Sequence, residues 1–216
     1  MLKKIFLFWI VVIGFPGAAL SANGDAAILE AVQKKYEQTR SFKAKFVQKS
    51  YLKIMGQSQV AEGEVAIQKP GKMKWDYRAP DRQILITNDT TLWLYLPEEN
   101  QVTKMPVESI YSSNTPALFL AGEGQLKETF HIKSATKNDH GWTLILVPKE
   151  LDNNIDRLIL FTDNSYQITG STVYDKLGNE TRMLFSDIQI DPGFPAGTFQ
   201  FRVPEGVEVI DFSSQP

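Results

Sequence analysis

The sequence predicts a mainly β protein, with one large antiparallel sheet curling into a barrel and a few α-helices at its mouth. Three observations carry this. Lys72-Met-Lys-Trp-Asp-Tyr-Arg78 alternates without a break: Met73, Trp75 and Tyr77 point one way, Lys72, Lys74, Asp76 and Arg78 the other. That is the period of a half-buried strand. Turn signals of hairpin length separate about eleven such segments, and a sheet of that size curls. Finally, a short and very apolar helix, Ala117-Leu-Phe-Leu-Ala121, stands between two blocks of strands.

The first 22 of the 216 residues read as a secretory signal rather than as part of the fold. Lys3 and Lys4 form a positive start, Ile5 to Phe15 an apolar run, and Ala18-Ala-Leu-Ser-Ala22 a small-residue exit, with the cut expected after Ser21 or Ala22. Residues 23–216 then form a single domain. The sequence has no cysteine, so no disulfide supports the fold in an oxidising compartment and no acyl group can be attached at a lipoprotein cleavage site. The expected location is the periplasm. Without Lys3 and Lys4 the chain has 21 basic and 25 acidic residues, a net charge of −4, which argues against nucleic-acid binding.

Asn23 and Asp25 are candidate caps for a helix over 26–39, whose apolar stripe is Ile28, Leu29, Val32 and Tyr36. The first strand turns Phe42, Ala44 and Phe46 inward and Lys43 and Lys45 outward. Its partner returns with Val65 and Ile67 on one face, and Pro70-Gly71 makes the next turn. After Lys72–Arg78 come Gln83–Thr87, Thr91–Leu96 and Gln101–Met105, completing a meander. Ile84, Ile86, Leu92 and Leu94 lie in strands that are apolar on both faces, which a sheet with one wet face does not require. One of those faces is core or lines a cavity, and the pattern leaves open which. Ser113-Asn-Thr-Pro116 starts the interrupting helix and Gly122 stops it. With Leu118, Phe119 and Leu120 it reads equally as a lid or as a filler of the core. The second block runs from Phe130 to Ile190, and a short last strand is expected at Phe199–Phe201.

Residues for catalysis are missing or isolated. His140 falls in a turn and His131 in a strand, and no His-x-x-x-His spacing marks a zinc site. Ser50-Tyr-Leu-Lys53 matches S-x-x-K but lies in a strand, without a Lys-Thr-Gly triplet. There is no phosphate-binding or dinucleotide glycine pattern. Glu62 and Glu64 share a strand face and are the only carboxylate pair worth weighing for hydrolysis. No cofactor and no metal are expected. An excess of large apolar groups beside this poverty of chemistry points to binding.

Five segments carry a resemblance: Gln68-Lys-Pro-Gly-Lys-Met-Lys-Trp-Asp-Tyr77, Thr91-Leu-Trp-Leu-Tyr-Leu-Pro97, Asn114-Thr-Pro-Ala-Leu-Phe-Leu-Ala121, the start at Ser41-Phe-x-Ala-x-Phe-x-Gln-Lys49 and the end at Phe199-x-Phe-x-x-Pro204-x-Gly-Val207. In the same order and over nearly the whole mature chain, they resemble the LolA family of periplasmic outer-membrane lipoprotein carriers. The absence of cysteine fits the carrier rather than its lipoprotein acceptor, LolB. The resemblance implies an unclosed β-barrel whose apolar cavity is covered by helices. It implies a non-enzymatic, monomeric carrier that takes acylated lipoproteins from an inner-membrane ABC transporter and delivers them to an outer-membrane acceptor. The cavity residues expected on this basis are Phe42, Phe46, Val65, Ile67, Met73, Trp75, Tyr77, Ile84, Ile86, Leu92 and Leu94, with Leu118, Phe119 and Leu120 as the lid. Family members often have Arg before the Pro of this motif, held to bond backbone carbonyls of the lid. Here Lys69 precedes Pro70, a point charge without the planar fork, and the latch role passes to it as a hypothesis. The rival on the same fold is an envelope sensor or regulatory lipid-binding module.

Overall fold

The computed structural model describes residues 19–88, 90–107, 125–150 and 154–212, with side chains from Gly24 onward. The elements are α1 (Ala19–Gln38), β1 (Ser41–Leu52), β2 (Gln57–Gln68), β3 (Lys72–Ala79), β4 (Gln83–Thr87), β5 (Thr91–Leu96), β6 (Gln101–Pro106), α2 (Leu126–Thr129), β7 (Phe130–Asn138), β8 (Gly141–Pro148), β9 (Ile155–Asp163), β10 (Ile168–Asp175), β11 (Glu180–Ile190) and β12 (Glu208–Asp211). All twelve strands form one sheet, in the order β12-β6-β5-β4-β3-β2-β1-β11-β10-β9-β8-β7. Its two edge strands, β12 and β7, do not pair with each other, so the barrel is unclosed. Every neighbouring pair is antiparallel except β12 and β6.

Directly paired residues share a face of the sheet, and the register therefore sorts the side chains. On the inner face Phe46 lies opposite Gly63 on one side and Phe185 on the other. Gly63 is required here: a Cβ would fall 2.1 Å from the Asp76 carbonyl oxygen and 2.9 Å from the Phe46 ring. The inner face carries two apolar clusters. One spans β1 to β5 and β11. In the other, Leu29, Val32 and Tyr36 of α1 pack on Leu144, Leu146, Leu158, Leu160 and Ile168, as the stripe predicts. The four-residue α2 adds the buried Leu126, whose backbone N–H donates to Gln33 Oε1 at 2.9 Å.

The outer face has its own apolar patch. Ile86, Val102 and Phe199 are buried yet belong to neither inner cluster. The chain after β11 crosses outside the sheet, with Phe201 against Trp93 and Tyr95 and Phe194 against Phe199. This explains why β4 and β5 are apolar on both sides.

Two expectations about elements are corrected. The expected strand at Phe199–Phe201 has no ladder pairing: tight turns over 195–200, with Thr198 N–H donating to the Pro195 carbonyl and Gln200 N–H to that of Gly197, lead into it. Ring packing, not ladder bonding, holds this segment. The last strand is instead β12, parallel to β6 and tied to it by the Lys104–Asp211 ion pair at 2.9 Å. The first helix begins at Ala19 rather than beside Asn23 and Asp25. Ala-Leu-Ser-Ala is competent to form helix, and the expected cut after Ser21 or Ala22 falls inside this extension. The expected helix over 113–121 lies outside the described residues.

Leu160 is 1% exposed beneath α1. Leu160→Ala is expected to lower unfolding free energy by about 2–5 kcal/mol, read from the urea midpoint at unchanged slope. A loss under about 1 kcal/mol would mean that α1 does not seal this half of the sheet.

Candidate functional site: the apolar inner face

Three side-chain rows cross the inner face from β1 towards β6. The first is Phe42, Ile67, Met73, Thr87, Leu92 and Met105; the second is Ala44, Val65, Trp75, Leu85, Leu94 and Thr103; the third is Phe46, Gly63, Tyr77 and Gln83. Nine of the expected cavity residues are thus brought together: Phe42, Phe46, Val65, Ile67, Met73, Trp75, Tyr77, Leu92 and Leu94. Ile84 and Ile86 are not among them. They pair with Asp76 and Lys74 on one side and with Tyr95 and Trp93 on the other, so they face outward, away from the cavity assigned to them. An alternating strand offers two faces, and only the neighbours' register tells them apart. Sequence reasoning also missed Met183 and Phe185 of β11, which join this face. Their signal was the same alternation, Met183-x-Phe185.

The rings interlock. Phe46 meets Trp75 edge-on at 5.0 Å and Tyr77 at 4.8 Å, and Phe42 meets Phe185 at 5.5 Å, geometries favoured by ring quadrupoles. Polar groups on this face are few. Thr87 is fully buried, accepting from Met73 N–H and donating to the Gly71 carbonyl. Among the described residues, Trp75 Nε1–H is buried without an acceptor, an unmet donor in a mostly apolar surface. Tyr77 marks the polar margin. Its hydroxyl donates to Gln48 Oε1 at 3.1 Å, and burial pushes its phenol up to about 12. Beyond it lies a groove of about 160 Å³ lined by Gln48, Ser50, Gln59, Asp81 and Gln83.

Lys69 joins the end of β2 to the last turn of α1. Its ammonium donates to the Tyr36 carbonyl and sits 3.3 Å from the centre of the Tyr36 ring. That carbonyl is available because the helix stops: Arg40 N–H, its partner in a longer helix, donates to Asp191 Oδ1 at 2.7 Å instead. Ser41 N–H donates to the same oxygen, and these two backbone bonds, Ser41's first, hold the Asp191 carboxyl below its ordinary range. A cation at a helix C-terminus is favourably placed. The Lys69 contact therefore falls on α1, whereas the resemblance placed it on the lid. Leu118, Phe119 and Leu120 lie outside the described residues.

The candidates for chemistry are dispersed. His131 and His140 are exposed, and Glu64 is paired with Arg78 at 3.0 Å on the outer face, away from the inner rows. Among the described residues, no group of three or more His, Asp or Glu can hold a metal, and no helix is long and apolar enough to cross a membrane.

Residues 37–202 match the model of the family described as outer membrane lipoprotein carrier protein LolA. The chain is similar to the outer-membrane lipoprotein carrier protein of Azotobacter vinelandii, with 32% identity covering 94% of this chain and 98% of that one. It is also similar to that of Chromohalobacter salexigens, with 33% identity covering 94% and 96%. In fold it resembles an uncharacterised conserved protein from Thermus thermophilus, with a TM-score of 0.56 and 13% identity over 86% of this chain and 98% of that one.

Burial pushes the Lys69 amine down to about 8, against the pull of Glu37 and Asp191. The unfolded chain, near the ordinary 10.5, holds that proton more tightly. Folding therefore strengthens as pH rises from about 8 towards 10.5. In urea titrations over this window, the stability of the wild type relative to Lys69→Gln is expected to increase with pH. A constant difference would show that Lys69 titrates as it does in water.

Proposed function

The chain belongs to the outer membrane lipoprotein carrier family, LolA, and from that premise we propose the steps by which it works. It takes acylated lipoproteins released from the inner membrane by an ABC transporter, covers their acyl chains with the inner face of its sheet, and passes them to an acceptor at the outer membrane. In this reading residues 1–22 are a cleaved signal peptide, the mature protein acts in the periplasm, and it carries its cargo without catalysis.

The observation that supports this is the inner face itself. Phe42, Phe46, Val65, Ile67, Met73, Trp75 and Leu92 form one apolar surface in register across five strands. Holding an acyl chain in water forgoes roughly 0.8 kcal/mol per CH₂, so a chain of about 16 carbons costs on the order of 12 kcal/mol. Only an extended apolar surface offsets that. Met73, Met105 and Met183 suit a lining that re-packs around different chains. Trp75 Nε1–H supplies a donor for the ester or amide carbonyl at the head of a chain. The bond is charge-neutral and modest, as suits a cargo that must be given up.

Tyr77 is half-buried at the polar margin, so a charge there disturbs the fold less than one at Trp75. Tyr77→Glu is expected to lower the yield of soluble 1:1 complex from vesicles carrying transporter and triacylated lipoprotein by at least tenfold, the equivalent of about 1.4 kcal/mol. Trp75→Phe, which keeps the ring and deletes the donor, is expected to weaken the complex several-fold with little change in thermal midpoint. Undiminished release by both folded variants would overturn the reading.

A further inference from the structure

The β1–β2 hairpin carries apolar side chains that neither inner cluster uses. Ile54 is 84% exposed and Met55 66% exposed, with Tyr51 and Leu52 exposed beside them. The hairpin also stands out from the sheet. β1 and β2 each have 12 residues and β3 has 8, and β3 pairs with β2 only from Glu62 onward. Residues 52–61 thus project past the β3 rim.

The neighbouring β10–β11 turn braces this tip. Lys53 N–H donates to Asn179 Oδ1 at 3.0 Å. Asp175 fixes the turn by accepting from Asn179 N–H at 2.8 Å and from its Nδ2 at 2.7 Å. Gly178 has φ +84°, and a Cβ on it would fall 2.6 Å from Lys53 Cδ, so the Lys53 stem lies against it. At the apex Leu177 is 66% exposed. Two turns thereby form one platform with Leu52, Ile54, Met55 and Leu177 at its surface.

The charges around the platform run against the rest of the chain. Residues 49–60 hold Lys49 and Lys53 and no carboxylate, while over 174–182 Lys176 and Arg182 balance Asp175 and Glu180. The local net charge is +2, in a chain whose formal net charge is −2. Apolar groups on a projecting knob, ringed by cations on an acidic protein, match the lipid–water interface of an anionic bilayer. That medium is soft enough to admit a knob and negative enough to hold its rim. The platform also occupies the end of the sheet where Gln48, Ser50, Gln59, Gln83 and one carboxylate, Asp81, line the groove beside Tyr77.

We propose that this platform seats the protein transiently on an anionic lipid surface, with Ile54, Met55 and Leu177 entering the headgroup–acyl boundary and Lys49 and Lys53 facing lipid phosphates. Seating turns the Tyr77 end of the inner face towards the bilayer. The proposal goes beyond lipoprotein carriage, and its test requires no cargo.

The measurement is co-sedimentation of the protein recovered from the periplasm with protein-free vesicles of phosphatidylethanolamine and phosphatidylglycerol, beside vesicles of phosphatidylcholine alone. Preferential binding to the anionic vesicles is expected, weakening as salt is raised. Ile54→Glu with Met55→Glu is expected to lower the partition coefficient at least tenfold, and Leu177→Glu severalfold. Val209→Glu, at an exposed position on β12, is expected to leave it unchanged. All these sites are exposed, and unchanged thermal midpoints verify the folds. Equal partition of the double variant and the wild type would overturn the proposal. So would no preference for anionic vesicles, or binding that appears only when the vesicles carry inner-membrane proteins, which would give the platform to a protein partner. A failure of carriage would appear separately, as no cargo complex beside intact vesicle binding.

Discussion

β1 is hydrogen-bonded along almost its whole length on both sides, to β2 from Ser41 to Leu52 and to β11 from Phe42 to Tyr51. The first strand of the chain is therefore an interior strand of the sheet, with six strands on one side and five on the other. Its inward residues must serve both halves at once, and Phe46 does so literally, between Gly63 and Phe185. The seam is also bent. The register of β1 on β11 shifts between Lys43 and Lys45, opposite Asp187 at φ +52°. A bulge increases local twist and bends the strand, turning the two halves of the inner face towards one another. The Lys45–Asp187 ion pair beside it is exposed and adds little; the backbone bonds hold the seam.

The same seam fixes the end of α1. Where β11 stops, Asp191 turns at φ +52° and its carboxylate takes the N–H groups of Arg40 and Ser41. That stops the helix and sets the first residues of β1. It also takes Arg40 N–H away from the Tyr36 carbonyl, to which Lys69 donates from the end of β2. One corner thus joins α1, β1, β2 and β11. Among the described residues, Lys69, at the family's Arg position, meets the helix terminus through one carbonyl and one ring face, contacts that a single ammonium makes without a planar fork. Lys69 differs from Arg in one further respect: its amine can lose its proton when buried, which a guanidinium does not do in proteins.

Much of this was legible in the sequence, because the information was local. Strand alternation at Met73, Trp75 and Tyr77, the stripe at Leu29, Val32 and Tyr36, and the turns at Pro70-Gly71 and Asn138 to Gly141 are each decided within a few residues. What was not legible depends on distant partners. Ile84 and Ile86 were placed inside because their strands are apolar on both faces. Only the chain arriving more than a hundred residues later, with Phe199 and Phe201, explains why the outer face is apolar too. The Phe199–Phe201 segment itself reads as a strand by composition, yet its rings dock on the sheet while its backbone turns. Glu208-Val-Ile-Asp211 is not legible as a strand because a four-residue edge strand has no pattern of its own; it exists through its parallel pairing with β6. The Arg40–Asp191 contact, 151 residues apart in sequence, leaves no local trace.

A carrier faces opposed requirements, and the inner face has features that answer both. Apolar burial scales with chain length and is indifferent to direction, so a surface tuned only for affinity would retain its cargo. The rows of this sheet are apolar at Trp75 and Met73, cross to a tyrosine whose hydroxyl is already bonded to Gln48, and end in a polar groove. In the proposed mode of carriage, contact with an acyl chain along that path weakens step by step rather than ending at a wall. The rings of this face also pack on one another, Phe46, Trp75 and Tyr77 together, so in the proposed mode of carriage an acyl chain displaces ring–ring contacts worth about 0.5–1.5 kcal/mol per pair. Those contacts re-form when the cargo leaves. In that mode self-packing offsets part of the binding energy and returns it on release, which lets an unclosed sheet take up an acyl chain without a nucleotide site of its own.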